Sequence, residues 1–304
     1  MRRRAGLLIA LLGLVLCGLW GAGCIGSRLN ALQVAGGKRY YLLHVPPNLD
    51  RTKSYPLVLA LHQFSDTPEG TEKLTGFSAL ADREGFLAAY PKGEFPRTWN
   101  PGMRSGPDDV AFLEALVDAL AKDYPVDTKR VYACGLSAGG MMSQWLACKS
   151  DRFAAVAAIA GSLTQAAVDS VANDKRTASV LLMHGSADPV VPYSGGETPA
   201  GPGMKPTFLS AEAGAQFWAD RAGCTGAPVR VELPPVAAND PTRVIQYTFA
   251  CTPPTEILRY EITGAGHTWP GHDNWYPQFI VGATSEQIDA TAEMWAFFQR
   301  HVKP

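Results

Sequence analysis

The sequence carries no excess of charge of either sign: 27 lysines and arginines stand against 28 aspartates and glutamates, a formal net charge of -1. With no basic tract and no charged half, nucleic acid is excluded as a partner. The HExxH and CxxC spacings that hold metals are also missing, so no metal site and no cofactor are expected. Cysteine is scarce, at 6 in 304 residues, and its positions suit one disulfide rather than a framework. No internal repeat is present, and no stretch reads as an interdomain linker. The Gly/Pro-rich segments Gly195–Pro206 and Pro234–Pro241 are short and fall between predicted elements, which makes them loops. What is left is 46% hydrophobic and 18% charged, ordinary for a chain with a sizeable core.

The one long apolar run lies at the N-terminus. Arg2, Arg3 and Arg4 precede Ala5–Leu19, followed by "WGAGC". That is the layout of an export signal, and the run is too short for a comfortable membrane span. Residues 1–23 are therefore expected to be the signal and residues 24–304 a single catalytic domain. Removing the three arginines leaves 24 basic against 28 acidic residues, a net charge of -4. Gly21-Ala22-Gly23-Cys24 resembles a bacterial lipobox, with Gly21 where that pattern prefers an aliphatic residue. The preferred reading is that an acylated Cys24 anchors the protein to a membrane facing the periplasm or cell exterior. The other is cleavage and free secretion. Export also sets an oxidising context in which Cys224 and Cys251, on either side of a Pro-rich segment, are placed to form a disulfide. Cys134 and Cys148 fall on apolar runs and read as buried small hydrophobes.

Short apolar runs alternate with helix-period segments along the rest of the chain. This is the signature of an α/β fold around a mostly parallel central sheet with helices on both faces. Candidate strands are Lys38–Val45, Leu57–His62, Phe86–Tyr90, Val131–Cys134, Ala155–Ile159, Ser179–His184 and Ile257–Ile262, with an opening strand near Leu29–Ala35 paired through Gly36-Gly37. A helix is predicted from Pro107-Asp108-Asp109, with Val110, Leu113, Val117, Leu120 and Tyr124 on one stripe. A second starts at Ser137. The last is expected to open at the capping-box pattern Thr284-Ser285-Glu286-Gln287 and to bury Ile288, Trp295 and Phe298.

Gly135-Leu136-Ser137-Ala138-Gly139 fits G-x-S-x-G and falls between a strand-like run and a helical one, the context this motif needs. Gly76-Phe77-Ser78 and Ser194-Gly195-Gly196 each lack one required glycine. A serine hydroxyl needs a base to take its proton and an acid to orient that base, in chain order serine, acid, histidine. Asp188 follows the strand "SVLLMHG", and His267 lies in the tight loop Gly264-Ala265-Gly266-His267 after "EILRYEIT". All three would project from the carboxyl ends of parallel strands, where such sheets bind ligands. His272 is the rival base, five residues on. His184, His44 and His301 read as structural or incidental, and Asp174, Asp220 and Asp240 as solvated. The expected oxyanion donors are the backbone N–H groups of Ala138 and, in the loop after "LVLALHQ", of Phe64, with Gln63 next.

The run "DDVAFLEALVDALAKDYPVDTKRVYACGLSAGGMMSQWLAC" resembles the polyhydroxybutyrate depolymerase / feruloyl esterase family of α/β-hydrolases, which includes bacterial lipoproteins. "YPKG…TWN", "HGSADPVVPY", "GAGHTWPG" and "IDAT" match in family order, over nearly all of the chain after residue 38. The resemblance implies an α/β-hydrolase fold with Ser137 as nucleophile, Asp188 as acid and His267 as base. It further implies that Trp99, Asn100 and Trp269 border the cleft with Tyr193 nearby, although plain packing is an equal reading for the two tryptophans. Cys224 and Cys251 match a cysteine pair of many relatives. The chain departs from the family at Gln63, where glycine is usual, and at Ala138, where asparagine is frequent. The expected activity is hydrolysis of soluble or oligomeric carboxylic esters through an acyl-enzyme. Acyl transfer by the same triad, or a catalytically silent ligand-binding lipoprotein, are the competing expectations.

Overall fold

A computed structural model describes residues 27–94, 98–100, 108–174, 176–198 and 205–304. The expected signal, Cys24 and Pro107 lie outside the described residues. The strands are β1 (Arg28–Val34), β2 (Gly37–His44), β3 (Tyr55–Leu61), β4 (Leu87–Pro91), β5 (Val126–Leu136), β6 (Ala155–Ile159), β7 (Ser179–Gly185), β8 (Gly196–Glu197), β9 (Thr207–Phe208), β10 (Val229–Glu232), β11 (Arg243–Phe249) and β12 (Ile257–Thr263). The helices are α1 (Pro68–Thr75), α2 (Phe77–Glu84), α3 (Asp109–Asp123), α4 (Ala138–Lys149), α5 (Gln165–Ser170), α6 (Ala211–Arg221), α7 (Gln278–Val281) and α8 (Ala290–Phe298). None of these is long and apolar enough to cross a membrane.

Ten strands form one sheet in the order β1-β2-β4-β3-β5-β6-β7-β12-β11-β10. The stretch from β4 to β12 is parallel throughout, and antiparallel pairs close both flanks. The central strands are apolar on consecutive residues because both faces are covered. Leu57, Leu59, Val131, Ala133, Val156 and Val180 share one core with residues of α3, α4 and α6. Their neighbours Val58, Ala60, Tyr132, Cys134, Ala157 and Leu181 share the other with residues of α1, α2 and α8. Strand periodicity thus sends alternate side chains into two separate cores.

Local chemistry sets the helix ends. Asp108 caps α3, its side chain accepting the Ala111 N–H at 2.9 Å. The last helix begins later than the Thr284–Gln287 pattern predicts. Asp289 is its cap, accepting the Ala292 N–H at 3.0 Å. Ser285 and Gln287 are committed elsewhere: Ser285 Oγ pairs with Thr242 Oγ1 at 2.7 Å, and Gln287 Nε2 donates to the carbonyls of Ala237 and Asp240 at 2.8 and 2.9 Å. These bonds tie residues 237–242 to the segment before α8, so the polar groups that would cap a helix instead hold a loop. Ile288, Trp295 and Phe298 still enter the core, on the face opposite α3.

Cys224 and Cys251 form a disulfide linking the residues after α6 to those after β11. Cys134 and Cys148 are buried thiols.

Candidate active site

Ser137 caps α4 at the end of β5, with φ 56° and ψ -122°. A residue with a Cβ reaches this region at a cost of about 1–3 kcal/mol, so the surroundings must impose it. They do so through the backbone. Ser137 N–H donates to Ile159 O at 2.8 Å, and Ser137 O accepts the Met141 N–H at 2.9 Å. A Cβ at Gly139 would stand 2.0 Å from Leu61 O, and one at Gly135 would stand 2.6 Å from the same oxygen. Both glycines of the pentapeptide are therefore required by the approach of β3 and the turn into α4. Ser137 and Ala138 are half-exposed on an otherwise buried stretch.

Asp188 follows β7 and His267 follows β12, strands that pair directly. His267 Nδ1–H donates to Asp188 Oδ2 at 2.8 Å. The other oxygen, Oδ1, accepts the N–H groups of Val190 and Val191 at 2.8 and 2.9 Å. A further contact was not foreseen from the sequence. His184 Nε2 lies 3.3 Å from Asp188 Oδ2 and 2.8 Å from Val191 O. A carbonyl only accepts, so His184 carries its proton on Nε2 and points it toward both oxygens. Burial pushes the Asp188 carboxyl up, but the His184 and His267 donors outweigh it and hold the group well below the ordinary carboxylate range. The signal for His184 was present as an i, i+4 spacing to Asp188, across a strand end.

His272, the rival base, is instead 3.3 Å from Asp289 Oδ1, the α8 cap. His44 pairs with Asp82 and His301 with Glu256 and Ser179.

The loop after β3 is built around His62. Its Nδ1–H donates to Gln63 O at 2.7 Å and its Nε2 accepts the Gly93 N–H at 2.8 Å. Burial pushes the His62 imidazole down, in keeping with this neutral tautomer. Trp99 Nε1–H donates to His62 O at 2.8 Å, and its ring lies 4.8 Å from the imidazole. Trp99 is thus a buried support behind this loop. Gln63 is buried with its amide directed at Asp66, 3.5 Å away, and Phe64 is 59% exposed. Asn100 N–H donates to Asp109 Oδ2 at 2.6 Å, and Asp109 Oδ1 accepts from Arg39 at 2.7 Å. That buried ion pair, also unforeseen, holds the backbone of the Trp99-Asn100 segment through Asp109.

Tyr193 stands edge-on to His184 with ring centroids 5.6 Å apart, and its hydroxyl accepts from Arg259. Trp269 is placed differently from the cleft position that resemblance implies. It is fully buried, donates to Thr291 Oγ1 at 2.9 Å and packs edge-on to Phe77. Of the two readings it takes packing, because the chain turns at Pro270-Gly271 and drives the indole into the core under α8.

This geometry sets a half-exposed serine on a strained turn after β5, the first amide of α4 and a carboxylate–imidazole pair after β7 and β12 at the carboxyl ends of parallel strands of one sheet. Comparison with known proteins places the chain in a family. The family described as Esterase PHB depolymerase matches residues 39–208. A putative esterase, NocK of Nocardia uniformis subsp. tsuyamanensis, is 36% identical over 280 residues, covering 86% of this chain and 79% of its own. Feruloyl esterase B of Piromyces equi is 28% identical over 235 residues, covering 75% of this chain but only 42% of that protein. Among solved structures, the acetyl xylan esterase from Aspergillus awamori shares the fold with a TM-score of 0.62 at 16% identity, over 90% of this chain and 99% of that one. The chain belongs to the esterase PHB depolymerase family, with an α/β-hydrolase fold, and is a serine hydrolase of carboxylic ester bonds.

Proposed function

We propose that the protein is an exported esterase that cleaves soluble or oligomeric carboxylic esters, feruloyl esters foremost, through Ser137, Asp188 and His267. The observation that carries this reading is the Asp188–His267 hydrogen bond at the same sheet edge as the strained Ser137 turn. With Nδ1–H committed to Asp188, His267 keeps Nε2 free of a proton and able to take the one on Ser137 Oγ. The serine attacks the ester carbonyl, and Asp188 stabilises the imidazolium that forms. The tetrahedral oxyanion is received by Ala138 N–H, at the first position of α4 where no intrahelical acceptor exists, and by Phe64 N–H across the cleft. The imidazolium then gives its proton to the departing alcohol, and water, activated by the same histidine, releases the acid.

The feruloyl assignment leans on the relative that bears that name, and Asn100 and Tyr193 are the residues assigned to flank the acyl group. Export is supported by Arg2–Arg4 before the apolar run and by the Cys224–Cys251 disulfide, which persists in oxidising compartments. In this reading residues 1–23 are removed, residues 24–304 form a single catalytic domain, and an acylated Cys24 holds it at a membrane.

A fluorophosphonate probe followed by peptide mapping tests the assignment. The label should sit on Ser137 and its attachment should abolish hydrolysis of methyl ferulate. A folded protein that hydrolyses the ester while Ser137 stays unlabelled would overturn it.

A further inference from the structure

β10 is the last strand of the large sheet, with β11 on one side and no strand on the other among the described residues. Leu233 N–H, just past its end, donates to Val244 O at 2.8 Å. In an antiparallel ladder such bonds recur on every second residue, so Val229 and Val231 also turn their backbone groups toward β11. Arg230 and Glu232 therefore present their N–H and C=O groups outward. The side chains divide with the same period. Val229, Val231 and Leu233 share the face that carries α8. Leu233 packs there on the core, but Val229 and Val231 lie beyond it and stay 63% and 46% exposed. Arg230 and Glu232 share the opposite face, 3.9 Å apart. An open strand edge with an uncovered valine face is a template for another strand.

We propose that this edge pairs with the same edge of a second copy of the chain, antiparallel about a two-fold axis at Val231, so that two ten-stranded sheets join into one. The chemistry of β10 selects both the occupant and the register. Outward-facing residues must meet outward-facing residues to exchange backbone bonds, which leaves an axis at residue 230, 231 or 232. An axis at Arg230 sets two guanidiniums face to face and brings Pro228, which has no N–H, opposite Glu232. An axis at Glu232 sets two carboxylates together and brings Pro234 opposite Arg230. At Val231 each Arg230 instead meets Glu232 of the second copy, Val231 meets itself and Val229 meets Leu233. The axis stands normal to the sheet, so the valine faces of both copies lie on one side and cover one another. Pro228 and Pro234-Pro235 stop the ladder at both ends, and a self-complementary edge closes at two copies rather than growing. Five residues a side is short against the roughly 20–30 of a standard interface, so a weak dimer is expected, with a Kd of about 10–100 µM.

This inference stands independently of the esterase reading. Sedimentation velocity on the purified protein, at concentrations from below to above that range, should show monomer giving way to dimer and to no larger species. Arg230→Glu puts carboxylates opposite one another at both charged pairs and should weaken association about tenfold; adding Glu232→Arg should restore it. Val231→Cys should give a disulfide-linked dimer under mild oxidation, because a non-hydrogen-bonded pair brings its Cα atoms to about 4.5 Å. Arg230→Cys should not, since the same residue of the second copy lies diagonally, beyond about 7 Å. A monomer at every concentration would overturn the proposal. So would a dimer that ignores the charge reversal, or one that cross-links through residue 230 as readily as through 231, since either places the contact elsewhere.

Discussion

The turn that carries Ser137 and the loop that carries Asp188 leave the same edge of one sheet, two strands apart, yet they are held by opposite means. Ser137 makes no capping hydrogen bond with its side chain and is fixed by how closely β3, Gly135 and Gly139 approach one another. Asp188 sits in an open enough loop to gather N–H groups from His184, Val190, Val191 and His267. Shape holds the first and polarity the second. The serine turn should therefore be intolerant of added atoms, and the acid loop intolerant of lost donors.

Substitutions chosen one kind at a time sharpen this contrast. Ser137→Ala removes one oxygen and adds no volume. It should lower kcat for methyl ferulate by about 10⁵-fold or more, with an unchanged thermal transition, as stopped assays at high enzyme concentration would show. Asp188→Asn keeps the volume but disturbs the carboxylate on which His267 Nδ1–H depends. A loss of about 10⁴-fold in kcat with KM nearly constant is expected. Gly139→Ala is the converse change, adding one methyl group that meets Leu61 O. It should cost about 3 kcal/mol of stability in urea unfolding, whereas Ala138→Gly next to it should cost less than about 1. If Gly139→Ala is tolerated, steric fixation of the elbow is wrong.

The smallest effect tests the polar side. His184→Phe should lower kcat about tenfold, in line with loss of a hydrogen bond to a charged group. Its pH dependence follows from Asp188. That carboxyl is held below its unfolded value, so its stabilisation is complete above about pH 4 and is lost as pH falls through the folded value. Removing His184 raises the folded value toward the unfolded one. The stability gap between wild type and variant should then be widest near neutrality and narrow below about pH 4, in urea midpoints taken across that range. A gap that stays constant would show that His184 does not act through Asp188.

Much of this arrangement could be read from the chain because strand ends announce themselves. The apolar runs before Gly135, Gly185 and Gly264 locate the ends of β5, β7 and β12 to within a residue or two, and Ser137, Asp188 and His267 follow directly. What stayed hidden depends on tertiary partners. β10 is only four residues long and exposed at all of them, so its Val-Arg-Val-Glu alternation buries no face and only its pairing with β11 makes it a strand. α1 and α2 are eight residues each and separated by the single left-handed Gly76, too short for a clear period. Ser285 and Gln287 spell a capping box, but the nearby 237–242 loop competes for the same groups. Trp269 shows the limit of likeness between sequences: neighbouring residues fix where a motif lies along the chain, and only packing decides which way an indole turns.

The two buried thiols offer a use beyond packing. Cys134 points into the core under α8 and Cys148 into the core under α3, and burial pushes both thiols up, away from reactive thiolate. Each face of the sheet thus carries its own silent chemical clock. Pulse alkylation of the native protein, read peptide by peptide, would time the opening of one face separately from the other.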